Sequence, residues 1–72
     1  MAKSTYIRAY ANQDQGKVLE MASHIQKKLG LPAKAFYFPP ECNENGYFSV
    51  LIRVPPEVSE LEMRAKLSWA TR

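Results

Sequence analysis

His24 and Cys42 are the only histidine and the only cysteine of the 72-residue chain. An imidazole activating a thiol is the simplest covalent chemistry such a pair could perform. Their settings argue against it. His24 points away from the apolar stripe of its predicted helix and has neither a second histidine nor an HExxH partner. Cys42 sits in a polar, turn-rich loop and reads as an exposed thiol. Glu41 and Glu44 flank it at loop spacing but lack further ligands for a metal ion. No calcium loop, phosphate loop, dinucleotide fingerprint or serine elbow occurs. A chain this short also leaves little room for a pocket with a supporting shell. The expectation is a protein without enzymatic activity, cofactor or metal.

Recognition chemistry is better represented. Tyr6, Arg8 and Tyr10 alternate along one segment, and Tyr47, Leu51 and Arg53 along another. Tyrosine buries apolar area while keeping a polar tip, and arginine adds a charged planar fork. Lys34 is expected nearby. These residues share a surface only if both segments are strands of one sheet, because alternate residues of a strand face the same way.

The pattern along the chain supports that. Residues 4–11 read as a strand, with Thr5, Ile7, Ala9 and Ala11 toward a core. A helix over 13–29 follows, with Val18, Ala22, Ile25 and Leu29 in one stripe. Asn12 with Gln15 forms a capping-box pattern, and Asp14 competes as the cap. Gly30 stands where a left-handed C-cap residue belongs. Residues 34–38 read as a short edge strand ended by Pro39 and Pro40. Residues 47–54 form the strongest strand, with Phe48, Val50, Ile52 and Val54 on one face. Ser59 and Glu62 open a last helix over 60–71.

This order makes an α+β two-layer sandwich over residues 1–72, read as a single domain. A crossover through the long helix and a hairpin between strands 2 and 3 predict a three-stranded mixed sheet of order 1-3-2. Both helices are expected on one face. The architecture resembles a ferredoxin-like sandwich lacking its last strand, a likeness of layout that implies no activity.

Two details decide which residues are displayed. A tight Asn45-Gly46 hairpin would set Phe38 opposite Arg53, turning Phe36 and Phe38 outward and Tyr37 inward. A one-residue slip near the double proline would reverse this, so the side is left open. The last helix has two apolar sides. Val58, Leu61, Ala65 and Trp69 are expected in the core, which leaves Met63 and Leu67 outside as a second contact surface.

Composition bounds the partners. Ten basic and seven acidic residues give a net charge of +3, and 46% of residues are hydrophobic. That is globular composition with only a modest basic excess. The chain has no apolar run long enough to span a membrane, and Met1 to Thr5 lacks the apolar core of a signal peptide. A cytoplasmic setting is expected. The leading expectation is a regulatory or accessory module that binds another protein or forms a homodimer. Its surface would be Tyr6, Arg8, Tyr10, Tyr47, Leu51 and Arg53, or the outer stripe at Met63 and Leu67. The alternative is single-stranded nucleic acid, with bases stacked on Tyr6, Tyr10 and Tyr47 and phosphates met by Arg8, Lys34 and Arg53.

Overall fold

A computed structural model describes residues 5–72. Ser4, the expected start of the first strand, lies outside the described residues, as does most of the segment read for a signal peptide. β1 spans Thr5–Asn12, α1 Gln15–Leu29, β2 Phe36–Tyr37, β3 Phe48–Val54 and α2 Glu60–Ala70. A short 3-10 turn, Ala33–Ala35, precedes β2.

The ends of α1 follow from side-chain chemistry. Asp14 is the cap, its Oδ1 accepting from the Gly16 backbone N–H at 2.9 Å. Asn12 instead accepts from the Asp14 N–H at 2.8 Å and turns the chain into the helix. Gly30 ends it at φ 65°, a left-handed conformation that costs glycine little. Ser59 caps α2 by accepting from the Glu62 N–H at 3.1 Å.

The sheet has the expected order β1-β3-β2. It is antiparallel, not mixed: β3 runs antiparallel to both neighbours. Strands 1 and 2 run the same way but are separated by β3, so no parallel pair forms.

The hairpin register also departs from a tight turn. A two-residue loop would put Pro40 opposite Leu51, but Tyr37 sits there, with Phe36 opposite Ile52. The displacement is three residues, an odd number, so the faces are reversed. Asn43 explains the wider loop. Its Oδ1 accepts from the N–H groups of Asn45 and Tyr47 at 2.9 and 3.0 Å. Its own N–H donates to the Tyr47 carbonyl at 2.9 Å. The turn therefore closes on Asn43 and Tyr47, with Gly46 at φ 80° inside it. Pro39 and Pro40 bring no N–H to continue the ladder, so β2 shrinks to two residues.

Ile7, Ile52 and Val54 pack against Ile25 of α1 and against Met63, Leu67 and Ala70 of α2. Val50 packs against Val18 and Ala22. Both helices thus cover one sheet face. Each fully buried branched side chain contributes about 1.5–3 kcal/mol relative to exposure.

The α2 stripe is opposite to expectation. Met63 and Leu67 are buried at 2% and 6% exposure, while Leu61 is 81% and Trp69 51% exposed. The two stripes of α2 are similarly apolar, so periodicity alone does not choose between them. Packing does. Ala70, with no exposed surface, joins Met63 and Leu67 in the cluster with Ile7, Ile25, Ile52 and Val54, while Trp69 stays outside it. Trp69 lies at the rim, with the Lys28 ammonium 4.7 Å from its ring centre.

Candidate binding face

The sheet face away from the helices is built by β1 and β3, with β2 at one edge. Tyr6 stands opposite Arg53, and Arg8 opposite Leu51. Tyr37 reaches the same row from the other side of Leu51. Tyr6 and Tyr37 are 46% and 50% exposed. Arg8 and Arg53 are exposed, and Leu51 is half-buried. Tyr47 is 40% exposed and lies just before β3. Five of the sequence-predicted residues therefore surround one surface, joined by Tyr37.

Tyr10 does not join them. The register shifts between Arg8 and Tyr10, with Ala9 the extra residue of a β-bulge. Past the bulge, Tyr10 pairs with the fully buried Val50 instead of an outward residue. Its side chain packs on the Val18–Ala22–Val50 cluster. Its hydroxyl accepts from Asn12 Nδ2 at 3.1 Å, which satisfies the polar tip. Strict alternation fails here because one inserted residue rotates everything after it. No turn residue marks the spot; Ala9 is an ordinary strand residue. Met63 and Leu67 are also absent from any surface, since they build the core.

Phe36 and Phe38 settle toward the helices. Phe36 is half-buried against the core, and Phe38 shares a shallow hollow with Leu19 and Ala22 of α1. The exposed apolar stripe on α2 is Leu61, Ala65 and Trp69.

Charge separates the surfaces. The acids are Asp14, Glu20, Glu41, Glu44, Glu57, Glu60 and Glu62, and none lies on a strand. The ion pairs among the described residues are both on α2, Glu60–Arg64 at 2.8 Å and Glu62–Lys66 at 3.9 Å. Such exposed pairs contribute at most about 1 kcal/mol each. Arg8 and Arg53 have no carboxylate partner among the described residues. The sheet face therefore joins tyrosine rings with two arginines that form no ion pair among the described residues.

Among the described residues, other chemistry finds no comparable arrangement. His24 and Cys42 are exposed, on α1 and in the β2–β3 loop. Among the described residues no cluster of three or more His, Cys, Asp or Glu side chains could hold a metal ion. Among them, too, no helix is long and apolar enough to cross a membrane.

Comparison with protein-family models, with curated proteins and with solved structures gives no match.

Proposed function

We propose that the chain is a non-enzymatic module that binds another protein through its uncovered sheet face. One observation carries this. Among the described residues, Tyr6, Tyr37 and two unpaired arginines share a strand surface on which no acid stands, and the exposed Tyr47 lies at its end. Solvent-facing sheet surfaces are usually polar, whereas tyrosine and arginine are enriched where proteins meet. The charge also selects the partner. Two copies meeting through this face would each carry Arg8 and Arg53 into the contact with no strand acid to offset them, which weighs against that homodimer. A neutral or acidic partner surface complements it. The antiparallel 1-3-2 order supports a ferredoxin-like sandwich without its last strand, a layout that favours no particular activity.

Single-stranded nucleic acid is the second reading, and the acid-free face favours it too. The ring geometry favours protein. Tyr6 and Tyr37 meet at 63°, so the two rings cannot both lie flat under successive bases. Tyr10, a third stacking candidate, is turned to the core.

Photo-crosslinking tests the proposal. A benzophenone side chain at Tyr37 should capture a discrete protein from extract, and the same group at Glu20 on α1 should not. The Arg8→Glu, Arg53→Glu variant should lose the adduct. Equal capture from both positions would reject the sheet face. Salt-sensitive binding of a single-stranded oligonucleotide, weakened by about 1–3 kcal/mol in Tyr6→Ala, would transfer the face to the second reading.

A further inference from the structure

Where β3 runs out into Pro55 and Pro56, the chain leaves a cleft of about 270 Å³ beside the 3-10 turn. Leu31, Pro32, Pro55 and Pro56 form apolar walls, and Lys34 and Arg53 bring positive charge. The three prolines have fixed φ and no N–H, so the walls are stiff and offer no backbone donors from those positions. The two cations supply charged donors. Both are exposed, and neither is ion-paired among the described residues. Glu57 is the single acid lining the cleft. Among the described residues, two cations and one acid leave one positive charge unbalanced. An isolated carboxylate matches that excess, whereas a run of phosphates exceeds it. The volume suits a side chain or two and is below the usual range for cofactor pockets.

We propose that this cleft is the anchoring subsite for the partner protein. It takes an apolar side chain between the prolines while an adjacent carboxylate is held by Lys34 and Arg53. The inference rests on the protein-binding reading of the sheet face, with which it shares Arg53. Charge-assisted bonds to a carboxylate supply orientation, and apolar burial supplies area.

Amide chemical-shift mapping on the full chain distinguishes the two claims. The probe is an acetylated, C-terminally amidated peptide alternating Leu and Glu. It should shift the amides of Lys34, Ala35, Arg53 and Glu57 saturably. Replacing its Glu by Gln should weaken binding by about tenfold, as should Lys34→Gln in the protein. Lys34 is exposed, so this variant leaves the core intact. Acetyl-leucine, with a free terminal carboxylate, tells whether the anion comes from a chain end or a side chain; binding of either at these amides supports the subsite. Equal affinity for the Gln peptide overturns it. Shifts confined to Tyr6, Arg8 and Tyr37 overturn the subsite but leave the sheet face standing. No shifts in either place removes both for partners of this chemistry. Tighter binding of oligothymidylate at Lys34 and Arg53 overturns the carboxylate assignment in favour of phosphate.

Discussion

The rings of Tyr6 and Tyr37 meet edge to face, 6.3 Å between centroids, although their strands do not pair with each other. β3 lies between them, and the two side chains approach over it. Arg53 stands opposite Tyr6, and Leu51 opposite Tyr37. Two exposed rings thereby meet on the face of the sheet that carries Leu51 and Arg53.

That contact has measurable worth. A double-mutant cycle with Tyr6→Ala and Tyr37→Ala should give a coupling of about 0.5 kcal/mol, the scale of aromatic pairs in sheets. Urea unfolding of the four proteins measures it. A coupling indistinguishable from zero would mean the rings do not meet in solution.

The stripe of α2 that faces inward gives a second expectation. Leu67→Ala should cost about 2–5 kcal/mol, whereas Leu61→Ala should change stability by no more than about 0.5 kcal/mol. Small domains are only marginally stable, so Met63→Leu, about 1 kcal/mol or less, is the gentler companion variant. Thermal unfolding reads all three. A larger loss from Leu61→Ala than from Leu67→Ala would show the other stripe in the core.

Tyr10 should behave as a packing residue. Tyr10→Phe removes the bond with Asn12 and should cost about 0.5–1 kcal/mol, while Tyr10→Asp should cost about 2 kcal/mol or more through burial of charge. Partner capture at the sheet face should survive Tyr10→Phe. Loss of capture without loss of stability would place the ring outward after all.

Much of the layout was legible in the residues. Gly30, Ser59 and the apolar spacing of Val18, Ala22 and Ile25 mark the helices because caps and stripes are local chemistry. β3 was legible because its core-facing residues alternate without interruption. The order 1-3-2 followed from the helical crossover and the hairpin. The candidate face was legible only in part. Tyr6, Arg8, Leu51 and Arg53 obey simple alternation, whereas Tyr10 lies beyond a bulge and Tyr37 beyond a displaced hairpin.

Local spacing therefore determined the order of the elements, the caps at Gly30 and Ser59, and the presence of more apolar and aromatic surface than one small core can hide. Tertiary structure decided which of that surface is hidden. Strand faces flip with every inserted residue, so the bulge at Ala9 turned Tyr10 inward and the Asn43 turn decided the side of Tyr37, which local spacing had left open. The two sides of α2 were equally apolar, and only the fit of Ala70, Met63 and Leu67 against Ile7, Ile52 and Val54 selected one. Register and close packing depend on residues far apart in the chain, which no local pattern records.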